Sequence, residues 1–498
     1  MEMDLPLVMV WLCSLDLGKL LNLKRAVEKI LTSGLAEAAL LYDSSGKPHM
    51  KPESVESQRS GVLRLMSRED MRLFLEEYRK RCRFARLKLR GFKVTLPEIE
   101  IKKTLNVDVY LMLHRTGFAV LSFWLYLDRI PSLEKLIKLE NPFRPIYVRG
   151  LWSGLIEHLK INRVIKEENR EVEALGKGFF VLTIEKIRNI YWSFIFSKLQ
   201  NGQSPRSLEA KVRYPFLGIY RVVALIGIEG LLEHYVKEHE KVLHGIISME
   251  DFWDSVRKPW IEESLSVNLA WREGWGVYIG SAGALMIITK EAMELIRDLL
   301  RAKLEHEIPH IVLGWSERGP FAATLDRKKV SEKLVERVWK DQQISIILDL
   351  FVVVELLCLQ SIMLRAYEYI LSEKMPKSIR RLAQVKRELL EVIEEVLNVR
   401  VWQPRTAAVW VEHGKKVIGI DVLYSSVKEK LSILESRLRT LYDHALNTLM
   451  LALTLFLGIP QVIELLLRFG ISSVVWLSLV VVIFVMMVIA IAYYAKIL

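Results

Sequence analysis

The chain has 498 residues, enough to bury a sizeable core and to fold as more than one domain. Charged residues make up 26%, so most of the chain faces water, yet the 51% hydrophobic fraction is high for a protein that does so everywhere. The formal net charge of +12 comes from Lys and Arg spread along the chain, with no basic block interleaved with aromatics, which weighs against nucleic acid and suits a surface beside anionic lipid.

Residues 1–145 alternate strand and helix patterns. The run VMVWLCSL reads as a buried strand, because the acids around it (Glu2, Asp4 and Asp16) do not fit the basic start of a signal peptide. Its Cys13, with Cys82 and Cys358, makes an odd and widely spaced set, which argues against a disulfide framework or structural zinc and favours a reducing compartment. LGKLLNLKRAVEKIL has helical spacing, residues 43–60 form a polar loop, and REDMRLFLEEYRKRCRF returns to a helix with acids early and bases late. VDVYLMLHRTGFAVLSFWLYL reads as a hairpin about a Gly-containing turn, followed by the helix PSLEKLIKL.

Residues 146–328 continue as α/β. SVNLAWREGWGVYIGSAGALMIIT followed by KEAMELIRDLLRAKL repeats the hairpin–helix pattern, and Arg115-x-Gly117-Phe118-x-Val120 aligns with Arg272-x-Gly274-Trp275-x-Val277. That fits either a duplicated unit or two hairpins with similar turns. His306-Glu307-Ile308-Pro309-His310 has the spacing of a zinc-protease motif, but Pro309 ends the helix such a site needs. His234, Glu238 and His239 fall on an amphipathic helix and read as a solvated face. Gly280-Ser281-Ala282-Gly283 lies inside a hairpin with no phosphate-loop Lys after it. No nucleophile–base set or carboxylate pair stands out, so no catalytic residue and no enzyme activity are expected.

From residue 329 the pattern turns helical, over 329–373 and 378–399. The first stretch is apolar through ISIILDLFVVVELLCLQSIML, but Asp349 and Glu355 would each cost about 2.5–3.5 kcal/mol at a bilayer centre, so 344–364 reads as a helix buried in protein. From 424, Val427, Leu431, Leu434, Leu438 and Leu441 form a coiled-coil seam, with Glu435 and Arg439 placed to pair outside it. Nothing interrupts this helix before it enters an apolar stretch. Continuous to Phe469 it would be about 65 Å long, roughly twice a bilayer core, so its first half is a stalk.

Residues 445–468 and 474–495 are each long and apolar enough to cross a membrane. With so short a link they form a hairpin whose two ends share one side. Lys428, Lys430, Arg437, Arg439 and Lys496 place that side, and the N-terminal region, in the cytoplasm. The second span carries one hydroxyl, Ser478. The first carries Asn447, Thr454, Gln461 and Arg468 at seven-residue intervals, nearly two helical turns, so they share a face. In lipid such a face must meet protein or water, which a closed ring of copies provides. Either it lines a pore or it forms a dry helix–helix contact.

This arrangement resembles the CorA family of divalent-cation channels, which pair a cytoplasmic α/β domain with long stalk helices and two C-terminal spans. Asn447-x-x-Met450-x-x-Leu453-Thr454, with Pro460 beyond, is similar to the start of that family's pore-lining helix. The resemblance implies a homopentamer in the cell membrane, with Asn447, Thr454 and Gln461 lining the pore. Met450, Leu453 and Leu457 would form a hydrophobic gate, with Glu464 and Arg468 at the mouth. It implies no cofactor, with a divalent cation as substrate or regulator and a small ligand or ion sensed by the cytoplasmic domain. The family's Gly-Met-Asn signature is missing; Arg468-Phe469-Gly470-Ile471-Ser472 stands there instead, which puts magnesium selectivity in question.

The expected organisation is an α/β subdomain over 1–145, a second over 146–328, a helical stalk over 329–444 and two transmembrane helices over 445–498.

Overall fold

The computed structural model describes residues 6–18, 21–42, 48–49, 84–96, 101–161, 179–199, 218–248, 253–270, 273–299, 332–373, 378–397 and 405–468, with Ser478, Val482 and Met486. It is a mixed α/β sheet domain followed by a helical C-terminal region. In chain order the elements begin β1 (Leu7–Asp16), α1 (Leu23–Thr32), β2 (Ala36–Tyr42), β3 (Pro48–His49), β4 (Phe84–Leu96), β5 (Ile101–His114) and β6 (Phe118–Leu127). They continue α2 (Leu133–Glu140), β7 (Ile146–Arg149), α3 (Ser153–Ile161), β8 (Phe179–Leu182), α4 (Ile184–Leu199) and β9 (Ile219–Ile228). Then come α5 (Leu232–Glu238), α6 (Glu240–Ser248), α7 (Lys258–Leu265), β10 (Trp275–Ile279), β11 (Gly283–Thr289) and α8 (290–299). Four further helices follow: α9 (Glu332–Glu373), α10 (Ile379–Leu397), α11 (Arg405–Ile418) and α12 (Ile420–Arg468).

The strands make one sheet in the order β10-β11-β9-β1-β6-β5-β4-β2-β3, with β7 on β4 and β8 on β7. Strand β1 is central and buried along its whole length, as its unbroken apolar run requires. It pairs antiparallel with β6 on one side and with β9 on the other. The sheet therefore joins strands from both sides of residue 145, where the sequence suggested a subdomain boundary. The pair β9–β11 is parallel, which a chain can make only by crossing over, here through α5, α6 and α7.

Alternate residues send side chains to opposite faces. On one face Met9, Trp11, Cys13 and Leu15 share a core with Ile187, Tyr191 and Phe194 of α4 and Ile246 and Ile247 of α6. On the other face lies α9. Its Phe351 ring packs edge-on against Trp124 of β6 at 4.4 Å between centroids, and Thr116 Oγ1 lies 3.5 Å from Met363 Sδ. Helix α11 packs on the same unit: Trp410 Nε1 donates to Leu269 O at 2.9 Å, and Gly414 meets Leu357 and Ile279.

The two stretches matched in the sequence occupy different places. Gly117, at φ +84°, sits in the β5–β6 turn, whereas Gly274, at φ +73°, precedes β10 and the β10–β11 turn lies at 280–282. The described residues just before Gly274, 266–270 and Glu273, are not a strand; Asn268 is held to β10, donating to Trp275 O and accepting from Val277 N.

By compactness the chain forms two units, Met1–Met363 with Glu395–Asp421, and Leu364–Glu394 with Val422–Leu498. The second is helical. Val427, Leu434 and Leu438 of the expected seam are buried, and Leu431 and Leu441 half-buried. Lys386 of α10 pairs with Glu435 at 2.8 Å, and Lys430 pairs with Glu368 of α9. The seam thus meets helices of its own chain, and Glu435 is paired with Lys386 where the sequence suggested Arg439. Buried Glu388 accepts from Tyr367 Oη at 2.8 Å and from Gln384 Nε2 at 2.9 Å.

Candidate functional site

Helix α12 carries the polar stripe. It runs without interruption from Ile420 through Pro460 to Arg468, so seam and stripe share one axis. On an ideal helix, each seven-residue step moves a side chain by only about 20°. Asn447, Met450, Leu453, Thr454, Leu457, Gln461, Glu464 and Arg468 then all fall within a sector about 120° wide, centred roughly opposite the buried seam of Val427, Leu434 and Leu438. The structure leaves each of these eight exposed. Leu457 is 66% exposed, and the large side chains Leu446, Leu449, Leu451 and Leu465 around it are also exposed.

Two of the polar groups are satisfied within the helix. Thr454 Oγ1 donates to Met450 O at 2.8 Å, and Arg468 Nη2 donates to Glu464 Oε1 at 3.1 Å. Glu464 and Arg468, both expected at the mouth, thus pair across one turn, and this end of the helix presents a neutral ion pair. The second span, expected over 474–495, lies outside the described residues except for Ser478, Val482 and Met486, which are helical and exposed.

One described helix segment, Leu350–Glu373, is long and apolar enough to cross a membrane, and 89% of its apolar window is buried inside the molecule. Glu355, costly at a bilayer centre, lies in this segment and is buried. Its partner is Arg86 on β4, whose Nη2 donates to Glu355 Oε2, with side-chain exposures of 7% and 1%. The Arg86 guanidinium also lies 5.9 Å from the Phe351 ring centroid. Burial pushes the Glu355 carboxyl above its usual range, and Arg86 opposes that shift. A lone acid in an apolar run is a signal that a base must face it, but nothing in the sequence says which base.

Other motifs take structural places. His306–His310 lie outside the described residues, as do most of 43–60, Cys82 and residues 68–83 of the expected helix REDMRLFLEEYRKRCRF, whose last residue, Phe84, instead begins β4. His234 and Glu238 are exposed and the half-buried His239 ring packs edge-on against Tyr235 at 4.6 Å between centroids, a water-facing surface. Gly280 and Gly283 turn the β10–β11 hairpin against α6, where an added Cβ would come within 2.6 Å of Ile247 O or 2.8 Å of Ile246 O. Among the described residues no three His, Cys, Asp or Glu side chains are grouped as metal ligands. No protein-family model matches this chain, and no curated protein matches it.

Proposed function

We propose that the protein is a CorA-like oligomeric membrane channel or transporter whose pore is lined by the exposed sector of α12. The supporting observation is the single continuous helix Ile420–Arg468. Its seam is covered by its own chain, while Asn447, Thr454 and Gln461 point away from that seam into an exposed apolar surround. The exposed Leu side chains around this polar sector suit lipid or neighbouring copies better than water. In this reading 445–468 and 474–495 cross the cell membrane as a hairpin, with the sheet domain and C-terminus cytoplasmic. Copies of the chain, five by resemblance, place the polar sector around an axis. Asn447, Thr454 and Gln461 line it, Met450, Leu453 and Leu457 gate it by excluding water, and Glu464 with Arg468 marks the mouth. The sheet domain senses a small ligand or ion.

Purified protein in liposomes tests this. Cation or anion flux that falls when Asn447 and Gln461 are both replaced by Leu supports a pore; no flux for any ion across a range of ligands overturns it. The neutralised Glu464–Arg468 mouth, and the absence of Gly-Met-Asn after it, favour a second reading: a non-conducting anchor that multimerises a ligand-sensing domain at the membrane. Such an anchor keeps its activity in the Asn447→Leu, Gln461→Leu variant.

A further inference from the structure

Helix α9 presents a choice that its composition does not resolve. Leu350–Glu373 satisfies the length and apolarity of a membrane span, yet 89% of its apolar window is buried, and its Phe351 and Met363 meet the sheet. Between Leu350 and Tyr367 the sequence holds two charged side chains, Glu355 and Arg365. In the apolar stretch 344–364 Asp349 and Arg365 lie towards the two ends, nearer an interface, whereas Glu355 stands near the middle, where an isolated carboxylate finds no partner in lipid. In the folded chain it has one, because Arg86 reaches it from β4 in a site almost closed to water.

A buried ion pair contributes little or nothing to stability compared with two well-packed apolar side chains, and its attested use is to specify one arrangement over another. Here the competing arrangement is visible in the sequence. We propose that Glu355 is a topology determinant: it keeps Leu350–Glu373 out of the bilayer, and Arg86 is the partner that makes the carboxylate tolerable in the core. The consequence is that everything between α9 and the C-terminal apolar stretch stays on the side of the sheet domain. This holds whether or not α12 conducts ions.

The test uses the full chain translated in the presence of microsomes. Arg400→Thr completes an Asn-x-Thr glycosylation acceptor at Asn398, which reaches the lumen only if α9 spans. In that background the otherwise native chain stays unmodified. Glu355→Leu raises the ratio of modified to unmodified chain by at least about tenfold. Arg86→Met, which also disrupts the core but keeps the carboxylate, stays unmodified. Replacing Glu355, Gln360 and Arg365 together by Leu verifies that the acceptor can be used. Modification of the native background, or of Arg86→Met to the extent of Glu355→Leu, overturns the proposal. So does a Glu355→Leu chain that remains unmodified, whether or not the triple variant is modified.

Discussion

Arg86 and Glu355 lie 269 residues apart in sequence and form a buried ion pair between β4 and α9, with Phe351 packed against the guanidinium. Removing one member leaves the other charged and buried, so Arg86→Met costs about 3–5 kcal/mol, whereas Arg86→Met with Glu355→Leu recovers most of it. Denaturant titration of the detergent-solubilised chain measures both. The pH dependence has a definite sign. Burial raises the Glu355 pKa in the folded state, so that state binds the proton more tightly than the unfolded chain. The carboxyl's contribution favours the fold below the unfolded pKa and is lost as pH rises through the folded value. Arg86→Met removes the group that opposes the rise, so its stability falls more steeply with pH above the ordinary carboxylate range than that of the native chain. Glu355→Gln flattens the slope.

Local pattern made some elements legible and hid others. The apolar run of β1 and the alternation around Gly117 announce a buried strand and a hairpin, and both form. Val427, Leu434 and Leu438 announce a seam because a helix places them on one face. What covers the seam was not legible: Lys386 and Glu368, which tie α12 to its own chain, lie tens of residues upstream. The same holds for the joining of β9 to β1, since register between distant strands depends on tertiary packing. Glu355 was visible as a difficulty, and its solution was not.

In the helical unit, Tyr367 donates to Glu388, a buried carboxylate also bonded by Gln384. Tyr367→Phe keeps the ring and removes this charge-assisted bond, with an expected loss of about 1.5–3 kcal/mol. Amide exchange separates this local effect from global destabilisation: protection falls in α10 and the first half of α12 before it falls in β1.

Cys13 is buried on the α4 face of β1, and burial pushes its thiol up to about 12; Cys358 of α9 is raised as well by burial and by Glu355. The reactive species is the thiolate, scarce at neutral pH for such groups. In a Cys82→Ser chain, a small maleimide at pH 8 should leave both thiols unmodified over hours and label both in denaturant. Rapid labelling of Cys358 in the native chain would show that α9 leaves the sheet.

Gly280 and Gly283 make the β10–β11 turn fit against the end of α6, and Tyr220 Oη reaches both of their carbonyls, at 2.6 and 2.8 Å. A methyl group at Gly280 meets the Ile247 carbonyl, a backbone atom that cannot rotate away. Gly280→Ala is therefore expected to destabilise by about 1–3 kcal/mol, the range of overpacked sites. If this loop served a nucleotide, the substitution would change nucleotide binding at unchanged stability; a thermal melt with and without nucleotide distinguishes the two.

The gate proposed on α12 makes a prediction opposite in sign to that for the polar stripe. Met450 and Leu457 are exposed apolar side chains in the same sector as Asn447 and Gln461. Around an axis, rings of such side chains would hold back water and close the path to ions without blocking it sterically. Leu457→Ser replaces one ring by hydroxyls and lowers the dewetting barrier. Removing about 1.4 kcal/mol from it raises resting flux about tenfold. Liposome flux without added ligand measures this directly, and Leu449→Ser, an exposed position only about 40° from the seam direction on an ideal helix, serves as the comparison. Equal flux from the two variants would mean that the sector facing away from the seam does not face the path.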